Sequence, residues 1–142
     1  VSVKPAAILR CAMASALADW IRTDIVPLAA SLGSTVSDLD NFDSFECRGR
    51  NRVVGARLSE HGRANALDVR AFKLANGRSI SLTDRTVSRE LRETVLHSVC
   101  ARFSTVLGPG SDWLLSTSPA TWGRAASARP ARASTTSSRL GA

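Results

Sequence analysis

Apolar residues recur about one helical turn apart along the first part of the chain. They run between Pro5 and Gly33 and comprise Ile8, Met13, Leu17, Trp20, Ile21 and Val26. This spacing predicts an amphipathic helix that begins near the proline and ends near the glycine. Pro27 lacks an amide hydrogen and is therefore expected to kink or split the helix.

The pattern changes between Asn41 and Leu82 to short apolar runs that turn-forming residues separate. The runs cover residues 52–58, 66–74 and 79–82, and Asn76-Gly77 has the composition of a hairpin turn. This region predicts a small antiparallel sheet.

A second helix is predicted after Thr86 or Ser88, either of which would cap its first turn. Its apolar stripe comprises Leu91, Val95, Val99 and Phe103, with Leu96 and Cys100 beside it. Helices that flank a compact sheet indicate an α+β fold.

The character of the sequence changes again after the run Gly108-Pro109-Gly110-Ser111-Asp112. Residues 116–142 are mostly Ala, Ser, Thr, Arg and Gly without periodicity, and such a segment cannot bury enough apolar surface to offset its chain entropy. We therefore predict one domain over residues 1–112 and an atypical, disordered tail over residues 113–142.

The net charge of +7 does not by itself indicate a nucleic-acid partner. Four arginines and no acidic residue follow Asp112, which leaves +3 for the rest of the chain, where basic and acidic residues alternate. That distribution is typical of a solvated surface, so we expect no nucleic-acid binding. We also expect no membrane span, because the longest apolar stretch, residues 21–32, is broken by Thr23, Asp24 and Pro27.

The three cysteines, Cys11, Cys47 and Cys100, are far apart and form no Cys-x-x-Cys pair. This spacing argues against a structural zinc knot and favours disulfides, with one thiol left over. Free buried thiols in a reducing compartment are the alternative.

The segment from Ser59 to Asp68 carries the candidate chemistry. His61 and Asp68 are separated by small or turn-forming residues, so a tight loop can bring the imidazole and the carboxylate to one point. Imidazole and carboxylate are suitable ligands for Zn²⁺, and a catalytic site adds a third protein ligand and a water. The simpler alternative is a hydrogen-bonded turn in which Asp68 accepts from His61.

This segment resembles the His-to-Asp ligand motif of the superfamily that joins lysostaphin-like endopeptidases, D-alanyl-D-alanine metallopeptidases and the hedgehog signalling domain. More closely, it resembles the bacterial extensin-like C-terminal family. In both, Ser-x-His precedes a small-residue turn and Ala-x-Asp, as in Ser59 to Asp68 here. The extensin-like resemblance covers most of the first 112 residues and is most specific over residues 47–72.

The resemblance implies a D-Ala-D-Ala metallopeptidase-like fold and a zinc site in which His61 and Asp68 are ligands. It also implies that Arg48 or Arg50 lies near a substrate carbonyl or carboxylate. Ala64 occupies a position where these families usually have glycine. The implied setting is periplasmic or secreted, and the domain would extend upstream of Val1, where members usually have another cysteine. Cys47 and Cys100 would then pair with each other.

The peptidase families complete the site with a later acid and a histidine, commonly in a His-x-His strand that follows Gly-Pro-Gly-Ser-Asp. Here no histidine follows His97, and we expect the tail from Trp113 to be foreign to the family, as a shifted reading frame would make it. His97 itself is predicted to lie on the solvent face of the second helix. Glu60 is a general-base candidate by position alone, and an exposed acid is its simpler interpretation.

We therefore expect a protein that resembles zinc-dependent peptidoglycan hydrolases but lacks the second half of their metal site. Two ligands should bind zinc weakly or not at all, so we expect little or no hydrolysis. The alternative is a non-catalytic cell-envelope binding module, in which Arg48, Arg50 and Arg63 hold an anionic wall fragment.

Overall fold

The computed structural model describes residues 1–49, 52–81, 83–107 and 113–116. Its helices are α1 (Cys11–Trp20), a π-helical turn (Ile21–Ile25), α2 (Val26–Ser31), a 3₁₀ turn (His61–Arg63) and α3 (Arg89–Arg102). Its strands are β1 (Ser2–Lys4), β2 (Val36–Asp43), β3 (Ala66–Leu74), β4 (Ser79–Ser81), β5 (Thr105–Leu107) and β6 (Trp113–Ser116). The predicted α+β class is confirmed.

The strands form one mixed sheet in the order β1-β2-β3-β6-β5, with β4 also paired to β3. β1 runs parallel to β2, and all other described pairs are antiparallel. One edge of β3 pairs with β2. Its other edge pairs with β6 along Ala66–Val69 and with β4 along Ala71–Lys73.

The helices cover one face of the sheet and form the core with it. Trp20 is fully buried, and its indole meets Phe72 of β3 and Phe103 after α3 edge-to-face, with ring centroids 5.6 and 5.8 Å apart. The opposite face of the sheet is polar: Lys4 pairs with Asp38 at 2.8 Å, and the Arg70 guanidinium lies over the exposed Phe42 ring.

Three predicted elements are confirmed. β3 spans residues 66–74, the turn at Asn76-Gly77 joins it to β4, and Gly77 has a φ of 83° that a side chain would strain. Ser88 caps α3 by accepting from the amide of Leu91 at 3.3 Å. In the predicted stripe, Val95, Val99 and Phe103 are buried and Leu91 is partly buried against the core, whereas Leu96 and Cys100, predicted beside it, are exposed.

The first helix begins later than predicted, at Cys11, and Ile8 before it is exposed. The chain does change helix type where a split was expected: five residues of π-helix precede α2, which has Pro27 in its first turn. The proline needs no donor there. No described helix is long and apolar enough to cross a membrane.

The strand predicted over residues 52–58 is wrong. Among the described residues of this segment only Leu58 makes a bridge, to Gly49, and Val53 and Val54 are exposed beside the turn at Gly55. β1 and β2 were not predicted, and β1 makes the sheet mixed rather than antiparallel.

Residues 113–116, assigned above to the tail, form β6 between β3 and β5, and Leu115 is fully buried. The rest of the predicted tail, 117–142, lies outside the described residues. The expected Cys47–Cys100 disulfide is not formed. Cys11, Cys47 and Cys100 are all free thiols at exposed positions.

The packing of α3 against α1 predicts a measurable coupling. The Trp20 Nε1–H donates to Ser98 Oγ at 2.9 Å, so Ser98→Ala should leave a buried donor unsatisfied and cost about 1–3 kcal/mol of unfolding free energy. In a Trp20→Phe background the same substitution should cost about 1 kcal/mol less. Urea denaturation of the four proteins measures this, with the exposed Thr94→Ala as control. Additive effects would contradict it.

Candidate metal centre

Two carboxylates face each other across strands β2 and β3. Asp43 is the Cα partner of Asp68, and partners in register share a face of the sheet. Leu67 and Val69 on either side of Asp68 are fully buried, so alternation places Asp68 on the face opposite the core. Like charges placed directly opposite destabilise a sheet. A cation between them would remove that cost.

His61 lies beside this pair. Its Nε2 is 3.4 Å from Asp68 Oδ1, and its Nδ1 is 3.9 Å from Asp43 Oδ2. One potential ligand atom of each of Asp43, His61 and Asp68 lies within 4.8 Å of the others. The loop from Ser59 to Asp68 therefore does bring the two predicted ligands together, and the structure adds Asp43, which the sequence analysis missed.

The imidazole of His61 is oriented by the backbone. Nδ1 lies 2.7 Å from the carbonyl oxygen of Ser44, which can only accept, so Nδ1 carries the hydrogen. This leaves Nε2, on the side of Asp68, as the ligand atom. A histidine that donates one ring nitrogen to a carbonyl and presents the other is the usual arrangement of a metal ligand.

The environment raises the pKa of His61 above its ordinary value. Burial is the largest single influence and favours the neutral ring, because His61 is only 4% exposed. Asp68, the Ser44 carbonyl and Asp43 together outweigh it and favour the protonated ring. The same negative field that holds a proton on this ring would hold a divalent cation.

The ligand loop has a tight geometry that the sequence accounts for. Ser59 Oγ accepts from the Gly62 amide at 3.0 Å, and a side chain at position 62 would meet Leu58 Cδ1 at 2.6 Å. Gly62 thus lets the loop pack against Leu58. The 3₁₀ turn then ends at Ala64, whose φ of 53° and ψ of 32° are left-handed.

Arg48, a predicted substrate-binding residue, lies beside the cluster. Its Nε is 2.5 Å from Glu46 Oε2 and its guanidinium is 3.8 Å from Asp43 Oδ2. Its side chain is 25% exposed, so an arriving anion can still reach it. Arg50 lies outside the described residues. Arg63 is half exposed and 3.6 Å from Glu60.

The remaining candidates lie elsewhere. His97 is exposed on α3, as predicted, and is not in the cluster. Glu60 is not simply exposed: its carboxylate accepts from the Asn65 amide at 2.8 Å and its side chain is only 15% exposed.

A family model described as "Extensin-like protein C-terminus" matches residues 1–116. The chain belongs to this family. The match includes β6 and so extends four residues past the predicted boundary at Asp112. Neither a curated protein nor a solved structure matches the chain.

The left-handed Ala64 gives a stability prediction for this extensin-like domain. Glycine adopts this conformation without the cost of about 1–2 kcal/mol that a Cβ brings, but loses more entropy on folding. Ala64→Gly should therefore raise the unfolding free energy by about 0.5–1 kcal/mol in urea denaturation. Gly77→Ala, at a φ of 83°, is the inverse control and should lower it. A destabilised Ala64→Gly would contradict the reasoning.

Proposed function

We propose that this extensin-like domain is a zinc-binding relative of D-alanyl-D-alanine metallopeptidases that is directed at peptidoglycan or another cell-envelope peptide. The observation that carries the proposal is the convergence of Asp43, His61 and Asp68 on one point of the sheet's open face. Two carboxylates and one imidazole form a donor set that suits Zn²⁺. The metallopeptidase-like fold and a periplasmic or secreted setting belong to the same proposal.

The residues present fit a zinc ion as ligands. His61 Nε2 and the carboxylates of Asp43 and Asp68 would hold it, and Arg48 beside them would bind a carboxylate or carbonyl of the peptide. When bound, zinc supplies polarisation of an amide carbonyl and acidification of a water. The Ser44 carbonyl fixes the ring of His61 for this role.

Hydrolysis by this chain should nevertheless be slow or absent. A metallopeptidase needs a carboxylate outside the ligand set to take the proton of the attacking water. Glu60, the nearest candidate in sequence, already accepts from Asn65 and faces Arg63. Within the described ranges the metal cluster has three members and no second histidine.

Metal titration tests the proposal. His61→Ala and Asp68→Ala should each abolish zinc binding in a chelator-competition assay, and Asp43→Asn should weaken it at least about tenfold because it removes one charged ligand. His97→Ala and Asp40→Asn, which alter a histidine and an acid outside the cluster, should bind as the wild type does. Unchanged zinc affinity in His61→Ala would contradict the proposal.

The same protein samples, tested for binding to isolated peptidoglycan, distinguish the zinc-site proposal from a non-catalytic binding module. Chelator-sensitive binding to isolated peptidoglycan supports the zinc site. Wall binding that a chelator leaves unchanged supports a non-catalytic module that uses Arg48, Arg50 and Arg63. Peptide cleavage with stoichiometric zinc would show that the chain is a working enzyme, against the low activity proposed here.

The register of β6 offers a gain-of-function test. Leu114 is the Cα partner of Asp68, on the strand that follows the Gly-Pro-Gly-Ser-Asp run. Because Cα partners lie directly opposite each other, Leu114→His should raise zinc affinity at least about tenfold by adding a ligand. The competition assay checks this.

Leu107→His is the matched control. Leu107 is the Cα partner of Leu114 one strand further from β3, so this position is about one strand spacing, roughly 5 Å, more distant from Asp68. It should leave zinc affinity unchanged. Equal gains in the two variants would point to non-specific histidine binding.

A further inference from the structure

A buried polar cluster lies beside the metal centre and joins three segments. Its centre is Asn65, which has no exposed surface and precedes β3 by one residue. The Asn65 side-chain amide donates to Glu60 Oε2 at 2.8 Å and to Ser116 Oγ at 3.3 Å. Its two hydrogens therefore each have an acceptor, as a buried amide requires.

The backbone of Asn65 holds the same loop. Its amide donates to the carbonyl of Glu60 at 2.9 Å, and the Ala64 amide donates to the carbonyl of His61 at 3.0 Å. The main chain and the side chain of Asn65 thus both donate to Glu60, the residue immediately before His61. Asn65 therefore closes the loop that carries the imidazole.

Ser116, the second acceptor of the Asn65 side chain, anchors this loop to the sheet. Ser116 is fully buried on β6, and its Cα partners are Ala66 of β3 and Thr105 of β5. Asn65 is therefore tied to the interior of the sheet on one side and to the ligand loop on the other. Asp68 lies on β3, three residues after Asn65.

We propose that Asn65 is a positioning residue that sets His61 relative to Asp68 through Glu60 and Ser116. The effect of Asn65 on zinc affinity rests on the proposed function, but its effect on the position of the His61 imidazole does not. Glu60 then acts as the acceptor that holds the loop, and a general-base role is not needed to account for it. Supporting hydrogen bonds of this kind typically change metal affinity by about 10–100-fold.

The test uses a substitution and a polarity-reversed rescue. Asn65→Leu keeps the approximate size of the side chain and removes both donors. The double variant Asn65→Asp/Glu60→Gln reverses the direction of the 60–65 hydrogen bond, and it keeps the net charge of the pair. Ser116→Ala removes only the anchor to β6 and serves as the milder disruption if Asn65→Leu does not fold.

Two measurements are made on each folded variant at one fixed pH. The first is the ¹H–¹⁵N NMR signature of the His61 ring without metal, which reports the Nδ1 hydrogen bond to Ser44. The chain has two histidines, and the exposed His97 supplies the internal reference. The second is zinc affinity by chelator competition.

We expect the His61 signals to shift and zinc affinity to fall at least about tenfold in Asn65→Leu, and in Ser116→Ala in the same direction. The double variant should restore the signals and return the affinity to within about threefold of wild type. A lower melting temperature with wild-type His61 signals in Asn65→Leu and Ser116→Ala would overturn the inference, since Asn65 would then be purely structural. A wild-type protein that binds no zinc would refute the proposed function alone, because the His61 signals still decide the role of Asn65.

Discussion

The pairing of β2 with β3 places two acidic side chains directly opposite each other, and the candidate site is built around that repulsion. Asp43 and Asp68 share the face opposite the core because Leu67 and Val69, which flank Asp68, are buried, and because register shifts between Asp40 and Asp43 reverse the alternation that starts at Leu39. A slip of one residue would turn Asp68 into the core. The apolar packing of one face therefore enforces an unfavourable contact on the other, and the imidazole of His61 lies within 4.8 Å of both carboxylates.

The neighbouring groups all belong to the single excursion of chain between these two strands. The Ser44 carbonyl orients the imidazole, Arg48 lies over Asp43, and Gly62 allows close packing of the loop on Leu58. This connection thus supplies one proposed ligand, the carbonyl that orients it and the neighbouring arginine. The sheet contributes the register, and β6 contributes the anchor through Ser116.

Sequence reasoning found the parts of this arrangement that are local. His61 and Asp68 belong to one short motif, and β3, its hairpin and α3 each have a clear periodicity or turn signal. Asp43 had no such signal, because it lies 18 positions before His61 and approaches it only through the register of β2. Four of the eight residues of β2 are Asp or Asn, so its sequence does not look like that of a buried strand. Conversely, Val53 and Val54 looked like part of a strand but are 58% and 100% exposed, because apolar residue type alone does not show whether a segment packs on the core.

The place of β6 in the sheet constrains the order in which the domain can assemble. It is the last described strand in sequence, yet it lies between β3 and β5 and separates them by one position. During synthesis, β3 and β5 therefore emerge before the strand that joins them, and each exposes a row of unpaired backbone groups in the meantime. Such open edges recruit other chains. The interval between emergence of Leu107 and docking of Trp113–Ser116 is thus the stage at which this fold is most exposed to aggregation, and at which a holding chaperone would have most effect.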